Sequence, residues 1–220
     1  MSASRATTVA DLMSAPAVAV DELTPVKAVA SLLTSRGFNG VPVTTRLGRV
    51  VGVITEDDLV MRQDPRVMAA GHLWSDPHRA ERRRAQGKVA REVMSPHPVT
   101  IAPGMPTAAA AERMHEHHLK TLPVVDDEGT LVGVLTRRDL LKLLTRPDRE
   151  VAADVRERMR RESVDRRGLE ISVADGVVTI KGWVEAADDA RRLRKVAEAV
   201  DGVVAVRVWV NAEELLERPS

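Results

Sequence analysis

The chain contains one eight-residue phrase twice, with the two copies 81 residues apart. The phrase "GVITEDDL" occupies residues 52–59, and "GVLTRRDL" occupies residues 133–140. The same offset aligns residues 12–20 with 93–101 and residues 40–59 with 121–140 without a gap. An ungapped match of this length indicates that one supersecondary unit is duplicated, so the fold must accommodate two copies of it.

Each copy has the pattern of a β-α-β-β-α unit. A short extended segment follows a Met-Ser pair, and a helix begins near Pro25 or Pro106, because proline fits the first helical turn. Two strands follow around a glycine turn, and the second strand leads into another helix at the repeated phrase. The pattern predicts an α+β protein in which two β-α-β-β-α repeats, residues 8–62 and 89–145, form one module and are joined by a basic linker at residues 63–88.

A threonine and an aspartate lie in each copy where a strand gives way to a helix. They are Thr55 and Asp58 in the first copy and Thr136 and Asp139 in the second. A helix N-terminus favours an anion, a Thr hydroxyl can donate to a phosphate oxygen, and an Asp one turn later can accept from two ribose hydroxyls. The same residue types also fit a capping box, in which they satisfy the first helical N–H groups. The pattern leaves both roles open.

The repeated features resemble a tandem pair of cystathionine-β-synthase (CBS) domains, an arrangement called a Bateman module. The resemblance rests on the Met-Ser pair before a proline, the "VPV" or "LPVV" strand and the G-h-x-T-x-x-D phrase (h, hydrophobic), all present in both copies. It implies that the module binds an adenine nucleotide such as AMP, ADP or ATP and needs no cofactor. By position, Thr55 and Thr136 would face phosphate, and Asp58 and Asp139 would hold ribose.

The resemblance also implies a place for the purine and a mode of assembly. The base would lie between apolar strand residues, Val20 and Val41 at one site and Ile101 and Leu122 at the other. CBS pairs usually pack through helical faces into flat dimers, and the alanines at residues 108–111 permit close approach. We therefore expect a homodimer.

The two sites differ in charge. The second phrase carries Arg137 and Arg138 where the first carries Glu56 and Asp57, and Lys120 stands where the first copy has Asn39. Guanidinium groups suit phosphate, whereas carboxylates oppose it. We expect the second site to prefer the more highly charged nucleotide, unless these charges only face solvent.

The segment at residues 148–212 has a different pattern, α-β-β-α-β, with a favoured hairpin turn at Asp175 and Gly176. Its "DGVVTIKGWV" and "VDGVVAVRVWV" stretches resemble a BON domain, a small module of bacterial envelope and stress proteins whose members are linked to phospholipid or partner binding. Trp183 and Trp209 are either core residues or an exposed docking surface. The cations of its second helix form either a patch or a solvated face: Arg191, Arg192, Arg194 and Lys195.

Composition excludes several classes of protein. There are 33 basic and 32 acidic side chains, so no net field attracts nucleic acid or an acidic membrane. The chain has no cysteine, which removes disulfides and cysteine-based zinc sites, and no long apolar run, so we expect a cytoplasmic protein. His115 and His118 are spaced to share a metal ion, but no third ligand of matching type is evident, and a solvated helix end is the simpler interpretation.

These patterns predict a non-enzymatic regulatory protein that senses an adenine nucleotide and signals through the BON segment to a protein or membrane partner. The alternative is a structural or phospholipid-associated BON protein whose CBS sites are unoccupied. A third interpretation is that the basic "ERRRAQGK" stretch of the linker contacts nucleic acid. Because that stretch lacks interleaved aromatic side chains, we expect no nucleic-acid partner.

Overall fold

The computed structural model describes residues 7–64, 84, 86–162, 168–184 and 187–212. It divides into two compact units, one of Thr8–Asp139 and the other of Met1–Thr7 with Leu140–Ser220. Most of the predicted basic linker, including Trp74, lies outside the described residues. No helix in the described ranges is long and apolar enough to cross a membrane.

The first repeat forms the predicted elements. They are α1 (Val9–Leu12), β1 (Val20–Asp21), α2 (Val26–Arg36), β2 (Gly40–Thr44), β3 (Val50–Thr55) and α3 (Glu56–Val60). Pro25 precedes α2, and Gly37 ends that helix in the left-handed conformation at φ 62°, which glycine adopts without steric cost. β2 pairs parallel with β1 and antiparallel with β3.

The second repeat follows the same order. Its elements are α4 (Ala90–Val93), β4 (Ser95–Pro96), α5 (Thr107–Glu116), β5 (Thr121–Val125), β6 (Leu131–Thr136) and α6 (Arg137–Leu144). Ile101 bridges Val124 in parallel, just as Val20 pairs with Val43 in the first repeat. The predicted duplication of a β-α-β-β-α unit is therefore confirmed.

The two repeats exchange their leading segments, which we define as residues 9–14 and 90–96. The second leading segment adds β4 antiparallel to β3 of the first repeat. Reciprocally, Ser14 forms an antiparallel bridge to Val134 in β6 of the second repeat. The short helices follow the same rule, since the N–H of Val9 donates to the carbonyl of Met105 and the N–H of Ala90 donates to that of Thr24, both at 2.9 Å. Neither repeat is complete without the other.

The glycine of each repeated phrase is required by this exchange. A Cβ placed on Gly52 would lie 2.7 Å from Met94 Cγ, and one placed on Gly133 would lie 2.9 Å from Met13 Cγ. In each case the methionine sulfur would be the nearest atom. The Met of one copy therefore packs flat on the glycine of the other copy, and this contact explains two of the residue types that the copies share.

The second unit forms the predicted α-β-β-α-β order. Its elements are α7 (Asp148–Arg161), β7 (Glu170–Ala174), β8 (Val177–Val184), α8 (Ala187–Glu198) and β9 (Ala205–Ala212). β8 lies in the centre of the sheet, antiparallel to β7 and parallel to β9. The core of this unit lies between the two helices and one face of the sheet, and includes Val155, Met159, Ile180 and Leu193.

One carboxylate holds the hairpin turn of this unit. Asp148, at the first position of α7, accepts from the backbone N–H groups of Asp175 and Gly176 at 2.8 and 2.9 Å. Both turn residues have positive φ, 50° and 72°, so their N–H groups point the same way. The acid thus fixes the β7–β8 turn to the helix that starts the domain.

We predict that the exchanged methionines and glycines are energetically coupled. Gly52→Ala and Gly133→Ala should each lower the free energy of unfolding by about 1–3 kcal/mol, because the added methyl overpacks a filled site. Urea unfolding of a double-mutant cycle should give a coupling between Gly52→Ala and Met94→Ala. The matched control pairs Gly52→Ala with Met13→Ala, which should be additive. Equal coupling in both pairs would contradict the exchange.

We also predict that Asp148→Ala destabilises the second unit by about 1–3 kcal/mol, because two backbone donors lose a charged acceptor. Asp188→Ala is a matched control, since Asp188 is an acid in the first turn of α8 that pairs only with an exposed arginine. It should cost no more than about 0.5 kcal/mol. Urea unfolding followed by circular dichroism measures both, and equal effects would show that the acid acts only through the helix dipole.

Candidate functional site

The Thr and Asp of each repeated phrase form a complete capping box. In the second copy, the N–H and hydroxyl of Thr136 donate to Asp139 Oδ2 at 2.9 and 2.6 Å, and the N–H of Asp139 donates back to the Thr136 hydroxyl at 3.3 Å. Thr55 and Asp58 make the same three bonds at 2.8, 2.7 and 3.3 Å. The structural role left open by the sequence is thus present at both sites, and it fixes both side chains at the start of a helix.

A cavity of about 250 Å³ opens in front of the second capping box. Its wall combines both repeats. From the second repeat come Thr121, Val134, Thr136, Arg138 and Asp139, and from the first come Ser14, Pro16, Val18, residues 36–40 and Pro42. The exchanged leading segment thus brings the first repeat to the phrase of the second. The volume lies just below the usual range for small-molecule sites.

The polar groups of the cavity are placed asymmetrically. Asp139 is only 6% exposed, whereas Arg36 and Arg138 are exposed at the rim. Thr121 is also buried, and its hydroxyl makes no hydrogen bond within the part of the chain that the structure describes. A buried hydroxyl of this kind costs free energy unless a partner reaches it. The cavity therefore offers two cations outside, one carboxylate inside and one unsatisfied hydroxyl.

Three of the predicted binding residues line this cavity, namely Thr136, Arg138 and Asp139. The four apolar residues predicted to hold the purine do not. Val20, Val41, Ile101 and Leu122 are core side chains, at most 8% exposed. Successive strand residues point to opposite faces, so the cavity receives Pro42 and Thr121 while their neighbours Val41 and Leu122 enter the core. The predicted purine wall is corrected accordingly.

Arg137 also has a different role from the predicted one. Its Nε donates to the carbonyl of Leu119 at 2.7 Å, and one of its terminal nitrogens donates to the carbonyl of Met114 at 3.3 Å. These carbonyls lie at and just beyond the C-terminal end of α5, where cations are favoured. Arg137 therefore caps a helix and does not line the cavity, and its assignment to phosphate is corrected.

Lys120 contacts both phrases, since its carbonyl accepts from the N–H of Arg137 in the second phrase at 3.2 Å while its ammonium group reaches the first phrase. Its Nζ is 3.2 Å from Asp57 Oδ2, in an exposed ion pair. The reason is that β2 contacts β5 around Gly40 and Thr121, so the side chain before each of these strands also comes near the phrase of the other repeat. The counterparts of Lys120 and Asp57 at the repeat offset are Asn39 and Arg138, which both line the cavity. The cation predicted for the second site thus neutralises an acid at the first.

Sequence reasoning missed every cavity residue contributed by the first repeat. Val18, Arg36 and Phe38 fall in segments that no motif marks as a binding site, and Pro42 lies in the "VPV" strand, from which its neighbour Val41 was predicted instead. One signal could have found them, since the leading segments are duplicated together with the phrase. If the leading segment of each copy contacts the hairpin of the other copy, residues near the start of the first repeat must lie close to the phrase of the second.

The structure also locates the candidate metal ligands, the cations of α8 and the two tryptophans of the BON segment. His115 and His118 are exposed at the end of α5, and the described residues contain no group of three or more His, Asp or Glu side chains arranged to hold a metal ion. The predicted basic patch on α8 is divided: Arg192 donates to the carbonyl of Glu162 at 2.6 Å, and Arg194 donates to that of Val206 at 3.0 Å. Trp183 and Trp209 are 60% and 67% exposed, so neither is a core residue.

Comparison with known families finds matches along most of the chain. The family model of the CBS domain matches residues 9–64 and 90–146, and that of the BON domain matches residues 147–210. The CBS domain-containing protein DDB_G0289609 of Dictyostelium discoideum is 32% identical over 136 residues, which are 62% of this chain and 90% of that protein. The uncharacterized protein MJ1426 of Methanocaldococcus jannaschii is 28% identical over 150 residues, which are 61% of this chain and 89% of that protein.

A solved structure shares the fold of the repeat module. CBSX2, a CBS-pair protein from Arabidopsis thaliana solved in complex with AMP, is 27% identical to this chain with a TM-score of 0.52. The match covers 61% of this chain and 94% of that protein.

We predict that the capping box at the cavity contributes to stability without any ligand. Thr136→Val should lower the free energy of unfolding by about 1–2 kcal/mol, because Asp139 loses both a donor and an acceptor. Thr136→Ser keeps the hydroxyl and should cost less. Because Asp139 is buried and Asp58 only partly so, Thr136→Val should cost more than Thr55→Val. Thermal unfolding measures all three, and an unchanged Thr136→Val protein would rule out a stabilising role for the cap.

Proposed function

Because the chain belongs to the CBS-domain family, with a BON domain after its tandem CBS pair, we propose that it is a regulatory protein that binds an adenine nucleotide in the cavity between its repeats. One observation carries the proposal. The cavity joins the Thr136–Asp139 capping box to two arginines and a buried hydroxyl without a partner in the described residues. The AMP complex of CBSX2 supports adenine nucleotide as the ligand class.

The phosphate would lie at the rim of the cavity. Arg36 and Arg138 are exposed there on opposite repeats, and a guanidinium binds phosphate with paired donors. The start of α6 adds a partial positive charge behind Thr136. With two cations at the rim, ATP or ADP should bind more tightly than AMP.

The nucleoside would occupy the interior. Asp139 is the single carboxylate of the cavity wall and would accept from the ribose hydroxyls. The base would cover Val18, which is exposed at 40% although apolar, and would contact Pro16, Phe38 and Pro42. These residues replace the predicted purine wall. The Thr121 hydroxyl would gain its missing partner from the base or the sugar.

The first phrase would bind more weakly. Asp57 stands at the position of the first phrase that corresponds to Arg138 in the second, and Lys120 is already paired with that acid. A nucleotide at the first phrase would have to compete with this carboxylate for Lys120. We therefore assign sensing to the second phrase, and Thr55 and Asp58 keep mainly their capping role.

Regulation would consist of a binding event that the BON domain passes to a protein or membrane partner. CBS pairs and BON domains are binding modules, so a non-enzymatic role fits the organisation of the chain. A cytoplasmic location and a homodimer remain our predictions. The exposed Ala108 and Ala111 of α5 leave a smooth helical surface that suits self-association.

We expect calorimetry with AMP, ADP, ATP and S-adenosylmethionine to detect one adenine-nucleotide site. Asp139→Ala should weaken it by about 10- to 150-fold, the loss of one or two hydrogen bonds to a charged acceptor, while the symmetry-matched Asp58→Ala should leave it nearly unchanged. Arg138→Gln should weaken ATP more than AMP.

Silence from all four ligands, with melting curves that show folded protein, would overturn the proposal. Loss of binding mainly in Asp58→Ala would instead move the site to the first phrase. Both substitutions break a capping box of the same geometry, and the melting curves of the two variants show whether a difference in stability contributes to a difference in binding.

A further inference from the structure

Two of the chain's four aromatic residues lie exposed on one sheet of the BON domain. The chain has three Trp, one Phe and no Tyr. Trp183 in β8 and Trp209 in β9 are 60% and 67% exposed. An exposed tryptophan is uncommon, and a pair on neighbouring strands marks an interaction surface.

Strand alternation places both tryptophans on the face opposite the core. Val178, Ile180 and Val184 of β8 are buried, and so is Val206 of β9. The residues of opposite parity therefore form the other face, which we call the outer face: Thr179, Lys181 and Trp183 in β8 and Ala205, Arg207 and Trp209 in β9. In the parallel register, Lys181 lies beside Trp209 and Arg207 lies beside Thr179.

The cations of the outer face are available. Lys181 and Arg207 are exposed, and neither forms an ion pair within the residues that the structure describes. The nearest acid in the sheet register is Glu170 of β7, opposite Lys181. Along each strand a cation is followed two residues later by a tryptophan, and Lys181 lies directly beside Trp209.

This combination distinguishes between classes of partner. Binding to a lipid surface scales with the apolar area that is buried, and on the outer face only the two tryptophans and Val177 at one end are large apolar residues, separated by polar and charged ones. The core of a protein interface is depleted in lysine. A single-stranded nucleic acid offers stackable bases together with phosphates, and therefore complements aromatic and cationic groups that alternate.

We infer that the outer face binds single-stranded nucleic acid, with bases stacked on Trp183 and Trp209 and phosphates held by Lys181 and Arg207. Ser172 and Thr179 supply hydroxyls on the same face for less specific contacts. The sequence argued against such a partner because "ERRRAQGK" lacks interleaved aromatics. The fold supplies the interleaving elsewhere, by pairing two strands that are distant in the chain.

The test is fluorescence anisotropy of labelled oligothymidine and oligouridine with the full chain, at several salt concentrations. We expect binding that weakens as the salt concentration rises. Duplex DNA should be a poor competitor. Trp183→Ala and Trp209→Ala should each weaken it by about 5- to 150-fold. Lys181→Gln and Arg207→Gln should each make the slope of log K against log salt shallower by about 0.7. Glu170→Gln should strengthen binding, because it removes the neighbouring negative charge.

Two matched comparisons separate stacking from other effects. Trp209→Phe should retain most of the affinity and Trp209→Leu should not, because leucine is apolar but has no π face. Arg191→Gln is the control for charge, since Arg191 lies on α8, away from the sheet, and should change neither affinity nor salt slope.

Several outcomes would overturn the inference. They are the absence of oligonucleotide binding, equal affinities for the Phe and Leu variants, tryptophan-dependent binding to anionic phosphatidylserine vesicles in place of oligonucleotide, and tryptophan-dependent dimerisation in sedimentation equilibrium. Melting curves confirm that each variant is folded. If an alanine variant is not folded, the comparison of Trp209→Phe with Trp209→Leu still tests whether stacking is required.

Discussion

The packing of one repeat's methionine on the other repeat's glycine is the contact on which the CBS module depends. Met13 lies on Gly133 and Met94 lies on Gly52, and a single methyl group at either glycine would collide with the methionine. The contact brings each leading segment to the edge of the opposite hairpin, where Ser14 and Ser95 complete the sheets. Neither repeat presents a closed core by itself. The duplication is therefore a structural necessity as well as a record of ancestry.

The candidate binding cavity is a consequence of this exchange. The Thr136–Asp139 box lies at the end of one hairpin, and the segment that covers it belongs to the other repeat. A nucleotide bound there would contact both repeats at once, so its binding would stabilise their association relative to each repeat alone. A small ligand at this position could therefore shift the equilibrium between arrangements of the two repeats, as a regulatory site requires.

The sequence predicted local structure better than it predicted proximity. Element order, the capping residues and the Asp175-Gly176 turn follow from patterns that span a few residues, and all are found. The prediction failed where it assumed that each repeat builds its own site. Lys120 was assigned to the phrase nearest in sequence, yet its ammonium meets Asp57 of the other repeat. Val41 was assigned to the ligand because it is apolar, but strand parity gives that place to Pro42. Exchange and parity are properties of the fold, which local patterns do not encode.

The symmetry of the scaffold makes its departures from symmetry informative. Positions that maintain the exchange are identical in both copies, as with the paired Met and Gly residues. Positions around the phrases have diverged, so that Arg36, Asn39 and Arg138 correspond to His117, Lys120 and Asp57 at the repeat offset. Core positions also differ between the copies, as with Val41 and Leu122, but they stay apolar, so a change of charge at an equivalent position reflects chemistry and not packing. One phrase has exposed cations beside it, whereas the other has an exposed ion pair. The repeated scaffold thus carries two copies of a capping box, and the exposed cations beside the second copy are the reason why we propose anion binding there.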